Sequence, residues 1–170
     1  MKYGIAGNLA NLSVEDPNGD TDSTNTSYLS GFVLTPLNRN QPSVRLWYEL
    51  SYRSFDLDPS TTNIGQEVSS LSLSATIQKG WSSKMVDAYW VGIGGELNLD
   101  DYSKRLTVDS DGFINQQFND RNETILGVLL NAGFNLPKTS GGYVYGFNFN
   151  YRMPIDDGIN GISASFFVMW

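Results

Sequence analysis

Hydrophobic positions recur with a period of two over most of this chain and almost never with the 3.6 of a helix. Residues 43–55 place Val44, Leu46, Tyr48, Leu50 and Tyr52 on one face and Arg45, Trp47, Glu49, Ser51 and Arg53 on the other. Residues 68–78 set Leu71, Leu73, Ala75 and Ile77 against serines, Thr76 and Gln78, and residues 88–99 set Tyr89, Val91, Ile93, Leu97 and Leu99 against Trp90, Gly92, Gly94, Glu96 and Asn98. The second half repeats the design. Residues 124–136 alternate through Leu126, Val128, Leu130, Ala132, Phe134 and Leu136, and residues 142–153 through Tyr143, Tyr145, Phe147, Phe149, Tyr151 and Met153. The last segment, 161–170, alternates through Ile162, Ala164, Phe166, Val168 and Trp170. Residues 2–14 start in the same way with Tyr3, Ile5 and Leu9 and then change phase at Leu12 and Val14, while 27–35 are apolar on both faces. The pattern predicts eight strands of about ten residues or more, longer than the five or six usual in a soluble sheet.

Connections alternate in length. Residues 15–26, 56–67 and 100–123 are long and polar, whereas 36–42, 79–87 and 137–141 are shorter, and the connection around Pro154–Gly158 is short but belongs by order to the long set. Charge follows the same alternation: 15 of the 18 acids fall in the long set, offset there only by Lys104, Arg105 and Arg121. An up-and-down array of antiparallel strands produces this segregation, because alternate connections emerge at one end.

The alternation leaves open which face is inside. In a soluble antiparallel barrel the apolar face points inward. Here the inward face would hold six large residues from 142–153 alone, and the outer face would be mostly Ser, Asn and Gly. Inverting the barrel removes both difficulties, since lipid accepts apolar surface without limit and small polar residues fill a narrow lumen. The five strand charges Arg45, Glu49, Arg53, Glu96 and Arg152 then face the interior, where they are expected to form an ion-pair network that cross-links the barrel rather than lining an open pore. Trp47 and Trp90 are expected to close the short-turn end. Tyr3, Tyr143, Tyr145 and Trp170 would form an aromatic girdle at one border of the membrane, and Tyr28, Tyr52 and Tyr151 at the other.

Composition narrows the function. The 170 residues include no Cys and no His, which removes disulfides, thiolate chemistry, histidine general bases, catalytic triads and HExxH zinc sites. A net charge of -7 argues against nucleic acid. No segment is long and apolar enough for a membrane-crossing helix. The start, Met1–Asn8, lacks the regions of a secretory signal, which implies a cytosolic protein or a mature chain with an added Met.

Eight amphipathic strands, alternating long polar loops and short turns, and a final strand ISASFFVMW ending on an aromatic resemble the small bacterial outer-membrane β-barrels of the OmpA transmembrane-domain, OmpX, Ail and Opa kind. The resemblance is one of pattern over the whole chain, with no diagnostic identity motif. It implies an all-β, eight-stranded antiparallel up-and-down transmembrane barrel forming a single domain, 1–170, with both termini periplasmic and the long loops extracellular. It further implies that Ile162, Ala164, Phe166, Val168 and Trp170 are read by the barrel-assembly machinery. The sequence ends at Trp170, so the peptidoglycan-binding domain that follows OmpA barrels is expected to be either missing or removed. Lipid-modifying barrels of similar size depend on a histidine, which this chain lacks.

Weaker motifs add little. The segment from Asp16 to Asp22 spaces oxygens like a calcium loop but has Thr21 in place of the turn glycine and Ser27 in place of the bidentate Glu, so a solvated loop is the better reading. Asp109-Ser110-Asp111-Gly112 predicts a hairpin turn joining 106–108 to 113–118, with apolar residues available for loop packing or for adhesion. Gly92-x-Gly94-Gly95 lies mid-strand and is no phosphate loop. Asn122-Glu123-Thr124 matches a glycosylation sequon of little weight in a bacterial protein. The expectation is a monomeric, non-enzymatic outer-membrane barrel without cofactor or metal, in contact with outer-membrane lipids and with an extracellular or envelope partner of unknown identity. A narrow OmpW-like channel or hydrophobic-ligand conduit, and a soluble lipocalin-like binder, are the alternatives.

Overall fold

The structure is a computed structural model describing residues 1–15, 21–38, 41–82, 88–137 and 141–170. The strands in chain order are β1 (Lys2–Glu15), β2 (Thr21–Asn38), β3 (Gln41–Leu57), β4 (Gly65–Trp81), β5 (Ala88–Val108), β6 (Ile114–Gln117), β7 (Arg121–Asn135), β8 (Val144–Pro154) and β9 (Ile159–Met169). Consecutive strands pair antiparallel except β6 with β7: β5 pairs directly with β7, the short β6 is attached to the far end of β5, and β1 pairs with β9 to close the ring of eight. The eight-stranded up-and-down barrel is thus formed.

The register is staggered. A row of partners beginning at Val44 on β3 passes through Lys79, Val91, Ala132, Phe149, Ala164 and Leu9 to Ser27, which lies two residues from Leu29, the partner of Tyr52 on β3. A row that starts near the short-turn end of β3 therefore returns near its long-loop end. Strands tilted in this way leave a lumen just wide enough for side chains to fill.

Exposure settles the facing. Leu50, Leu73, Ile93, Leu126 and Ile162 are all more than half exposed, whereas Ser70, Thr76, Asn98, Asn148 and Arg152 on the opposite phase are at most 3% exposed. An apolar outside and a polar inside is the wall of a barrel whose solvent is lipid. A soluble lipocalin-like barrel needs the reverse.

Near the long loops the pattern inverts, and here two expectations are corrected. β1 does not change phase: Leu12 and Val14 follow Ala6, Asn8 and Ala10 into the lumen, and Asn11 and Ser13 face out. The same switch occurs on β3 between outward Tyr52 and inward Phe55, on β4 between outward Leu71 and inward Val68, and on β5 between outward Leu99 and inward Tyr102. Above that level the outer surface meets water, so the barrel acquires an ordinary apolar core and a polar exterior. Tyr28 is likewise inside, 7% exposed, and not on the outer girdle. The strands also run further than the alternation predicts. Residues 100–123 are not one loop but the upper part of β5, the β6 hairpin and the start of β7.

Candidate functional site: the filled lumen and the long-loop rim

The lumen is built in three layers. At the short-turn end Phe32, Leu34, Trp47, Trp90, Val144, Phe167 and Met169 form an apolar plug, supplied by strands on all sides of the ring. Phe32 stacks on Trp47 at 3.9 Å between ring centroids, and the edge of Phe167 meets Trp47 at 5.6 Å. Facing glycines make room for these rings. A Cβ at Gly133 would collide with the Trp90 ring, and one at Gly146 would collide with Phe167. Trp47 and Trp90 therefore close this end, as their phase on β3 and β5 indicates.

The middle layer holds the charges. Glu96 on β5 lies 3.5 Å from the Arg53 guanidinium of β3 and 3.2 Å from that of Arg152 on β8, so one carboxylate links opposite walls through two cations. Arg152 also donates to Ser163 Oγ at 2.9 Å and to the Tyr28 hydroxyl at 2.7 Å. Arg53 donates to Asn98 Oδ1 at 2.7 Å and to the hydroxyls of Ser70 and Ser72. Glu49 accepts from Trp47 Nε1 at 2.9 Å. Arg45 stands apart: its Nε donates to Gln78 Oε1 at 2.8 Å and its guanidinium lies 4.2 Å from the centre of the Trp90 ring. Among the described residues its contacts are thus with an amide and an aromatic face. Below the ions, Asn131 donates to both Asn148 and Asn150 and accepts from Gln78 and from the Trp90 indole, which ties β4, β5, β7 and β8 together. A desolvated interior favours linking its polar groups in this way, although Arg53 Nε and Nη1 and Arg45 Nη2 are buried without a hydrogen-bond partner.

Sequence reasoning missed one member of this layer. Asp100 is 2% exposed and inside the barrel, with the Tyr102 hydroxyl donating to it at 3.5 Å, although its place after Leu99 assigned it to a long loop. With it, Arg45, Arg53 and Arg152 are matched in number by Glu49, Glu96 and Asp100. The signal was its phase: Asp100 continues the inward series of Glu96 and Asn98.

The third layer, at the long-loop end, is apolar again and comprises Ala10, Leu12, Val14, Tyr28, Phe55, Leu57, Val68, Tyr102 and Ile159. Beyond it stands the predicted hairpin. Leu106 pairs with Gln117 and Val108 with Ile114. The Asp109 carboxylate accepts from the backbone N–H groups of Asp111 and Phe113 at 3.0 and 2.9 Å, fixing the turn. Phe113 and Ile114 project from its tip, about 70% exposed. The described cations of the rim all have partners. Lys104 pairs with Glu67, Arg121 pairs with Glu123 at 3.0 Å, and Arg105 donates to Gln66 and to the Asn119 carbonyl. The hydrogen bond to Glu67 holds the Lys104 ammonium above the usual lysine range. Of the segment compared with a calcium loop, Asp16 to Asp22, residues 16–20 lie outside the described residues and Thr21 and Asp22 begin β2, and among the described residues no cluster of potential metal ligands occurs.

The strand ending in Trp170 is the closing strand of the barrel. Ile162, Ala164 and Phe166 face outward and are exposed, Val168 faces outward and is half-buried, and Trp170 exchanges backbone hydrogen bonds with Tyr3.

An apolar belt outside, an ion-linked polar interior and a closed antiparallel ring of eight define an eight-stranded transmembrane β-barrel, the fold of small outer-membrane proteins. Solved structures agree. The chain is similar to Ail, the attachment invasion locus protein of Yersinia pestis, at 10% identity and a TM-score of 0.56, covering 99% of this chain and 98% of that one. A structure of Ail in complex with the heparin analogue sucrose octasulfate matches at 13% identity and a TM-score of 0.55, with the same coverage. Neisserial surface protein A matches at 12% identity and a TM-score of 0.54, covering 99% and 97%. At these identities the likeness is one of fold. No protein-family model and no curated protein sequence matches the chain.

Proposed function

We propose that the chain is a non-enzymatic integral protein of the bacterial outer membrane that presents its acidic long-loop end to the exterior, for surface interaction and adhesion or for envelope stabilisation. The observation that carries this reading is the filled lumen. Two apolar plugs with an ion-linked layer between them leave the long-loop rim as the surface available to a partner, and they disfavour the channel and conduit readings. The termini lie in the periplasm with the short turns. Ile162, Ala164, Phe166, Val168 and Trp170 form the strand by which the assembly machinery recognises the chain, and the barrel works as a monomer surrounded by outer-membrane lipid.

The names of the similar proteins, an attachment invasion locus protein and a surface protein, support the adhesive branch. The sulfated ligand of Ail does not transfer readily. The acids of this chain concentrate at the long-loop end, and the described rim cations are already engaged, so a polyanion meets a repulsive field. A neutral or cationic partner fits better.

Because the chain has no cysteine, single-cysteine labelling tests the orientation directly. Ser110→Cys at the hairpin tip reacts with a membrane-impermeant maleimide on intact cells, and Lys2→Cys reacts only after lysis. The reverse pattern overturns the reading. In planar bilayers the protein gives no steady conductance, whereas a reproducible one favours the channel.

A further inference from the structure

The belt outside the barrel is not evenly filled. Across β7, β8, β9 and β1 an apolar hollow of about 750 Å³ is set into the lipid-facing wall. Its floor is made by the outward methyl groups of Ala132 and Ala164, which sit on one hydrogen-bonded row on either side of Phe149. Its sides are Leu130, Tyr151, Ile162 and Leu9, all exposed. Rows climb toward the long loops in the direction from β7 to β2, so the Ala132 end lies deeper in the membrane and the β1–β2 end lies at its long-loop border.

At that upper end the hollow meets Asn11 and Asn25, two outward-facing amides. Asn11 Nδ2 donates to Asn25 Oδ1 at 3.0 Å, which uses the Asn25 oxygen and not its amide N–H, and both residues are exposed. Both lie just past the switch on β1 from outward Leu9 to inward Leu12, where the belt gives way to the water-facing wall.

We propose that this hollow is a binding site for a single bilayer amphiphile, one acyl chain lying over Ala132 and Ala164 and its ester or phosphoester oxygens accepting from Asn25. The proposal rests on the membrane reading above. The hollow is continuous with the apolar belt, so the molecules that reach it are those that cover the belt. Its shape selects among them. A second barrel offers a convex wall that bridges a hollow without filling it, whereas a flexible chain bends around the half-exposed Phe149 ring to reach the alanines on either side of it. Side chains bordering an unfilled gap forgo dispersion attraction, which favours whatever can occupy it. The lining residues carry no charge, and the two outward-facing amides sit together at one end, as a lipid carries its polar groups at one end.

The test uses the whole chain refolded into dimyristoylphosphatidylglycerol vesicles, extracted into mild detergent and weighed by native mass spectrometry. The wild type retains one lipid per barrel. Ala164→Phe fills the hollow and abolishes retention, and Ala132→Leu does the same from the deeper end. Asn25→Leu reduces retention without abolishing it. Ala75→Phe, which adds the same bulk to the outer face of β4, leaves it unchanged. Lipid-facing positions accept large apolar residues, so these variants fold. Equal retention in Ala164→Phe, Ala75→Phe and wild type overturns the proposal, as does a wild-type dimer that Ala164→Phe dissociates. Failure of the wild type to insert into the vesicles at all contradicts the membrane reading instead.

Discussion

At one depth of the barrel, two adjacent residues of β9 live in different solvents. Phe166 points into the lipid-facing belt and is about half exposed, while Phe167 points inward, is fully buried, and packs against Phe32, Trp47 and Trp90. The outer side chain has fluid neighbours that rearrange around any shape. The inner one has fixed neighbours and is held by packing. The same contrast separates the apolar Leu97 on the outside of β5 from Glu96 on its inside, where one carboxylate serves two arginines. Loss of a group on the outer wall is repaired by lipid, but its loss in the lumen leaves a cavity or an unpaired ion.

Variants can break this contrast. The largest effect is expected at Glu96. Glu96→Ala leaves Arg53 and Arg152 buried without their carboxylate and costs about 3–5 kcal/mol, read as a shift of the urea unfolding midpoint in vesicles, while Leu97→Ala beside it shifts the midpoint little. Phe167→Ala opens a hole in the aromatic plug and costs about 3–5 kcal/mol, against a small fraction of that for Phe166→Ala. A loss at Phe166 equal to that at Phe167 would show that both faces are packed cores. Val128→Arg places a charge on the lipid face of β7 and is expected to cost about 2–4 kcal/mol at the membrane midplane, measured as the yield of inserted barrel. The smallest effect belongs to Lys104→Ala at the rim, where the exposed pair with Glu67 contributes nothing measurable to unfolding.

Much of this was legible in the alternation of the sequence, because a strand's phase assigns a side chain to one face whatever the solvent. The plug residues Trp47 and Trp90 and the outward series on β4, β7, β8 and β9 follow from phase alone. Height along the strand was not legible, and the errors share that cause. Leu12 and Val14 read as a break in phase because the apolar face was assumed to stay outside along the whole strand. The structure keeps the phase and changes the solvent, so above the membrane border the inward positions become the apolar ones. Asp100 passed for a loop residue and Tyr28 for a girdle residue for the same reason. The partnership of Arg45 with Gln78 and Trp90, rather than with Glu49 on its own strand, depends on the register of β3 against β4, which sets Arg45 directly beside Gln78, and of β4 against β5. That arrangement is set by the register of the closed ring, which no single strand encodes.

The central claim is that the apolar face of the wall meets lipid. Gel mobility with and without boiling, on protein refolded side by side in detergent and in plain buffer, tests it most directly. A compact, heat-modifiable species that forms only in detergent is the predicted result. A compact species in plain buffer would contradict it, since the face taken for a belt would then be an interior.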